Sequence, residues 1–144
     1  AVFYKDQMLL GYGFRTDIIS HHLIGKIMEM GYISLELIDH HFYHLDTCLQ
    51  YFEEVNLIIY YPEAFSPESM KKIEGLQSDV IRLSSADAFS FVCNSICINN
   101  NLLLYKCSDT LKDKLKEYGL NIISLDTSEF MKSGGSVRCM VLSL

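Results

Sequence analysis

Proline occurs only twice in this 144-residue chain, at Pro62 and Pro67, and charged residues make up 21% against 49% apolar. Disordered chains have the opposite balance, because they cannot bury enough apolar surface to offset the entropy lost on ordering. No basic run exists either: twelve Lys and Arg are scattered among eighteen Asp and Glu, for a net charge of −6. That removes the electrostatic footprint of a nucleic-acid partner. No apolar stretch approaches the ~18 to 20 residues that span a bilayer, and Ala1-Val2-Phe3-Tyr4-Lys5 lacks the basic-then-apolar order of a signal peptide, so no membrane partner is expected.

The five cysteines (Cys48, Cys93, Cys97, Cys107, Cys139) are odd in number and never form a CxxC pair. This predicts reduced thiols in a cytoplasmic setting, and neither a disulfide framework nor a zinc knuckle. A polar tail is missing from both ends, since the chain opens on Ala1-Val2-Phe3-Tyr4 and closes on Val141-Leu142-Ser143-Leu144. Residues 1–144 are expected to be a single domain with a real core, and such abrupt edges mark it as a piece of something larger.

What is present is a theme stated three times: an apolar β-like run, an amphipathic helix and a second β-like run. The first goes from Met8-Leu9-Leu10-Gly11-Tyr12 through a helix near 17–30 to Ile33-Ser34-Leu35-Glu36-Leu37. The second goes from Asn56-Leu57-Ile58-Ile59-Tyr60 through a helix near 67–76 to Val80-Ile81-Arg82-Leu83-Ser84. The third goes from Asn101-Leu102-Leu103-Leu104-Tyr105 through a helix near 109–118 to Asn121-Ile122-Ile123-Ser124-Leu125-Asp126. Ser66-Pro67 offers a helix start, while Gly31 and Gly119 stand where a left-handed residue ends one. Further strand-like pieces at 45–52, 95–99 and 137–142 complete units of about three strands and a helix. The fold class is α/β: either blades of a β/α propeller or an open sheet of similar βαβ units.

Three motifs carry candidate chemistry. In Phe42-Tyr43-His44-Leu45-Asp46-Thr47-Cys48, strand alternation would put His44, Asp46 and Cys48 on one face, joining a proton-transfer group to a carboxylate that can grip a cation. The bland reading is an exposed surface strand. In Ser133-Gly134-Gly135-Ser136-Val137-Arg138-Cys139-Met140, two glycines let the backbone approach a ligand and would hold Cys139 at a pocket edge, as a nucleophile or as a buried core thiol. In Gly11-Tyr12-Gly13-Phe14-Arg15-Thr16-Asp17, Arg15 sits at a strand-to-helix junction, where its planar fork can hold a carboxylate, or it is a surface arginine. His21, His22, His40 and His41 show no third ligand at metal spacing, so no metal is expected.

Taken together, His-Leu-Asp-Thr at 44–47, Gly-Gly…Arg-Cys-Met at 134–140 and Gly-Phe-Arg-Thr at 13–16 resemble the signatures of the guanidino-group-modifying superfamily, the penteins. These include arginine deiminase, dimethylarginine dimethylaminohydrolase and amidinotransferases. The resemblance implies a five-bladed β/α propeller, of which about three blades are present here as the C-terminal part of a catalytic domain. It also implies a cysteine-dependent hydrolase of a linear amidine, such as arginine or methylarginine, working through a covalent thiouronium intermediate with no metal or organic cofactor. Amidino transfer to an amine, or a non-catalytic arginine-binding fragment, are the other outcomes it allows. Cys139 then corresponds to the nucleophile, His44 to the general acid and base, Asp46 to a guanidinium-gripping carboxylate and Arg15 to the clamp on the substrate's α-carboxylate. Cys93-Asn94 matches a recurring dipeptide, read as pocket wall or core packing. The family's Glu-Gly-Gly-Asp motif is absent, so the expected partners are the missing N-terminal part or a second copy of the chain.

Overall fold

The computed structural model describes residues 1–142, and the closing Ser143 and Leu144 lie outside them. Each of the three predicted units is a three-stranded sheet in which the first strand pairs antiparallel with the second and a helix crosses over to a parallel third. In the first blade β1 is Val2–Tyr4, β2 Gln7–Tyr12, α1 Ile19–Met28 and β3 Gly31–Glu36. In the second, β4 is Leu49–Phe52, β5 Leu57–Tyr60, α2 Pro67–Glu74 and β6 Asp79–Arg82. A short helix α3, Ser85–Phe89, leads to the third blade: β7 Ile96–Ile98, β8 Asn101–Leu104, α4 Asp109–Glu117 and β9 Asn121–Ser124. A last turn of helix, α5, covers Ser128–Met131. The three separate sheets decide for blades and against one open sheet.

The local rules explain the boundaries. Ser66 and Ser108 cap α2 and α4 by accepting from the Ser69 and Leu111 N–H groups, and Pro67 opens α2 without forfeiting a hydrogen bond. The β7–β8 hairpin turns through Asn99 and Asn100, both at positive φ, the conformation that suits the right-handed strand twist. Gly119 ends α4 at φ +78° as expected. At α1 the expectation for Gly31 fails: Glu29 takes the left-handed position at φ 52°, and Gly31 begins β3. The buried side of α1 is also unusual, consisting of His21 and Gly25, while Ile19, Leu23 and Ile27 face outward. Gly25 is required there because a Cβ would stand 2.6 Å from the Tyr32 ring.

One apolar cluster runs through the three blades and is densest in the middle one, where Leu57, Ile58, Ile59 and Tyr60 are fully buried. β1 packs on β4, with Tyr4 and Tyr51 edge to face at 4.8 Å. The first strands of all three blades border a common groove of about 880 Å³, to which Phe3, Gln50 and Cys97 contribute.

Candidate active site

The first part of the strand expected over 45–52 and the middle of that expected over 137–142 are tight helical turns, and that difference builds the site. His44 precedes a 3-10 turn over Leu45–Thr47, so His44, Asp46 and Cys48 do not share a strand face. Thr47 causes the turn: its N–H and its hydroxyl both donate to the His44 carbonyl, at 3.1 and 2.6 Å, which folds the chain before β4 begins. His44 is left exposed, Asp46 partly buried and Cys48 fully buried. Likewise Arg138–Met140 forms a 3-10 turn rather than part of a strand over 137–142.

Asp46 and Cys139 are brought together through Asn94, which lies just before β7 and is fully buried. The Asn94 amide Nδ2 donates to the Asp46 carbonyl at 3.3 Å and stands 3.5 Å from its carboxylate Oδ2. On its other end Oδ1 accepts from the backbone N–H of Ser136 at 2.7 Å and of Cys139 at 3.3 Å. Its own carbonyl accepts from the Arg138 N–H at 3.1 Å. The Arg138 guanidinium sits with Nε 3.7 Å from Asp46 Oδ2. The Asp46 carboxylate is thus placed to accept hydrogen bonds from a guanidinium.

The glycines are steric requirements of this arrangement. A Cβ on Gly135 would lie 2.8 Å from both Cβ and Sγ of Cys139, so only glycine lets the turn close over the thiol. Gly134, at φ +87°, lies against the Tyr43 hydroxyl. Tyr43 in turn carries the Arg15 guanidinium 5.3 Å above its ring and the His44 imidazole edge-on at 4.8 Å. Tyr43 and His44 line a smaller cavity of about 320 Å³ together with Gly11, Thr16 and Asp46. Among the described residues no hydrogen bond joins the His44 and Cys139 side chains.

Burial separates the five thiols. All five are free, and Cys139 is the exposed one. Burial pushes the Cys48 and Cys93 thiols well up, raises Cys97 to about 11 and raises Cys107, so each is poorly nucleophilic near neutrality. For metal ligands the expectation needs correction: Asp39 joins His40 and His41 within 4.8 Å. Its carboxylate is engaged as the cap of the 3-10 turn over His40–Phe42, accepting from the His41 N–H and standing 2.9 Å from His41 Nδ1. Asn94, marked in the sequence only through the Cys93-Asn94 dipeptide as pocket wall or core packing, makes bonds that the sequence did not signal, because its partners are remote.

The family model for N,N dimethylarginine dimethylhydrolase, eukaryotic, matches residues 9–144. An N(G),N(G)-dimethylarginine dimethylaminohydrolase of Mycobacterium tuberculosis is 38% identical over 96% of this chain and 46% of its own length. A bifunctional arginine dihydrolase/ornithine cyclodeaminase of Nostoc is 37% identical over 92% of this chain and 19% of its own. The chain therefore spans about half the length of the first of these relatives and less of the second. The crystal structure of the N-terminal domain of the cyanobacterial arginine dihydrolase ArgZ, bound to product, superposes with a TM-score of 0.87 at 37% identity, over 93% of this chain and 50% of that one. A dimethylarginine dimethylaminohydrolase of Pseudomonas aeruginosa, a cysteine-to-serine mutant complexed with citrulline, shares the fold at 21% identity and a TM-score of 0.74, over 94% of this chain and 50% of that one. The three blades are accordingly part of a pentein fold, and the chain belongs to the dimethylarginine dimethylaminohydrolase family.

Proposed function

We propose that this chain is the C-terminal, nucleophile-bearing part of a cytoplasmic cysteine hydrolase that acts on a guanidino substrate such as arginine or methylarginine. The observation that carries the reading is the Asn94 side chain, which hydrogen-bonds both the backbone of the exposed Cys139 and Asp46, whose carboxylate already faces a guanidinium. It is supported by the arginine dihydrolases and dimethylarginine dimethylaminohydrolases among the relatives, one of which, an ArgZ variant, is described as covalently bound to a reaction intermediate.

In this mechanism Asp46 grips two guanidinium nitrogens, displacing Arg138, and Arg15 holds the substrate α-carboxylate. The bound cation favours the Cys139 thiolate, which attacks the guanidinium carbon. As the new C–S bond forms and the C–N bond breaks, His44 protonates the departing ammonia or methylamine, leaving a thiouronium on Cys139. His44 then takes a proton from water as its oxygen adds to the same carbon. Rupture of the C–S bond returns the thiolate and releases a ureido product. With an amine in place of that water, the same atoms would perform amidino transfer. The reading includes completion of the site by a further part of the domain or by a second copy, and this chain alone is expected to be inactive.

The test offers arginine and dimethylarginine to the complete protein, with and without an added amine, and measures ammonia, dimethylamine, citrulline and guanidino products. Citrulline formation, lost in Cys139→Ser, supports hydrolysis; an amidinated acceptor assigns transfer instead. Iodoacetamide labelling Cys93 or Cys107 in preference to Cys139, with activity retained, would sink the nucleophile assignment.

A further inference from the structure

Three stretches far apart in sequence meet at one side chain. The amide of Asn94 has an acceptor end and a donor end, and the structure uses them on different segments: Oδ1 on the Ser136 and Cys139 N–H groups, Nδ2 on Asp46. Nothing else among the described residues hydrogen-bonds both the Asp46 and Cys139 segments by one side chain. The residue is itself held in place. Asn94 is fully buried, its N–H donates to the Phe91 carbonyl at 2.9 Å, and Phe91 takes the left-handed conformation at φ 54° to make that turn. The segment that carries the thiol is anchored a second time, because the Ser136 hydroxyl pairs with Thr127 at 2.8 Å in a buried position.

We propose that Asn94 is a positioning residue that sets the separation between the guanidinium-gripping carboxylate of Asp46 and the nucleophilic thiol of Cys139. The proposal rests on the hydrolase reading above. Its physical basis is geometric: attack requires the guanidinium carbon to be presented to sulfur at near-contact distance while its nitrogens are held by the carboxylate, and a displacement of about 1 Å costs on the order of a hundredfold in rate. A fixed planar amide with bonds at both ends is a spacer of defined length. Gln would lengthen it by one methylene, Ser would not reach, and Asp would keep the acceptor end while turning the donor end into a repelling carboxylate.

Asp substitution therefore separates the two ends. In Asn94→Asp the Ser136 and Cys139 N–H groups keep their acceptor, so the pH-independent plateau rate of Cys139 alkylation by iodoacetamide should stay within about threefold of the parent. The second carboxylate would displace Asp46, so KM for arginine should rise about tenfold or more. In Asn94→Ala both ends are lost, and the alkylation plateau should change together with a fall of about a hundredfold in kcat/KM. Thermal melts and circular dichroism of each variant of the complete protein report the folded fraction. Losses that merely track that fraction, with KM and alkylation plateau of the folded enzyme unchanged, would overturn the proposal. The alkylation arm needs no turnover. Should the parent prove inactive on every guanidine, the hydrolase reading fails and the proposal with it; with an active parent, an alkylation plateau that stays unchanged in Asn94→Ala overturns the proposal alone.

Discussion

Asn56-Leu57-Ile58-Ile59-Tyr60 and Asn101-Leu102-Leu103-Leu104-Tyr105 are almost the same sequence, and they form the corresponding middle strands of the second and third blades. Their surroundings differ. Every residue of Leu57–Tyr60 is fully buried, whereas in β8 Leu102 and Leu104 are buried and Leu103 between them is only partly so. The outer strand β9 leaves Ile123 exposed, and Ile98 in β7 is 56% exposed. The second blade has a neighbour on each side: β1 packs on β4, the Ser69 hydroxyl accepts from the Glu36 N–H, and the Cys93 thiol reaches the Ile59 carbonyl. A continuous apolar run thus predicts a strand buried on both faces only where both neighbours exist.

This contrast can be broken by mutation. Ile59→Ala should cost about 3 to 4 kcal/mol, measured by urea unfolding, since it opens a cavity in a closed core. Asp87→Ala attacks the junction of the two blades. That carboxylate accepts from the Ser84 hydroxyl at 2.8 Å and from both the N–H and the hydroxyl of Ser108, at 2.7 and 2.9 Å, so it fastens α3 to the start of α4. Its loss should cost about 2 to 3 kcal/mol and reduce the cooperativity of unfolding. Leu103→Ala, the third-blade counterpart of a middle-blade truncation, should cost only about 1 kcal/mol. Equal costs for Ile59→Ala and Leu103→Ala would erase the distinction.

The smallest effect belongs to the first blade and to pH. His21 lies on the buried side of α1, with Nδ1 2.7 Å from the Ser34 hydroxyl and Nε2 3.2 Å from the Gly11 carbonyl, and burial lowers its pKa. The unfolded chain binds a proton near 6.5 more readily than the folded one, so this contribution is fully present above about pH 6.5 and is lost as pH falls through the lower folded value. A pH series of thermal melts should show the parent losing stability on that descent more steeply than His21→Gln.

The blades were legible in the sequence because their signals are local. Ser66-Pro67, the Leu111 and Leu115 stripe and the recurring apolar words each depend on neighbours within a few residues. At the candidate site the sequence marked residues that the fold brings near one another, but not the shape that does so. Arg15 and His44 pack on Tyr43, and Asp46 and Cys139 are bonded to Asn94, but the chain around 44–48 and 138–140 turns where a strand was expected. Val137-Arg138-Cys139-Met140 alternates like a strand, and the alternation is overridden by bonds to Asn94 from a segment more than forty residues away. Leu45–Thr47 is turned by a threonine hydroxyl, which no hydrophobic period registers.

That long reach has a kinetic consequence. Each sheet closes over short connections, while the Asn94 bonds join residues 42 to 48 positions apart, so their loop-closure entropy is met only after the blades exist. The site should be the last part of the chain to order and the first to open. In a rising urea series, the reactivity of Cys139 toward iodoacetamide should therefore shift at lower concentration than the far-ultraviolet signal of the sheets.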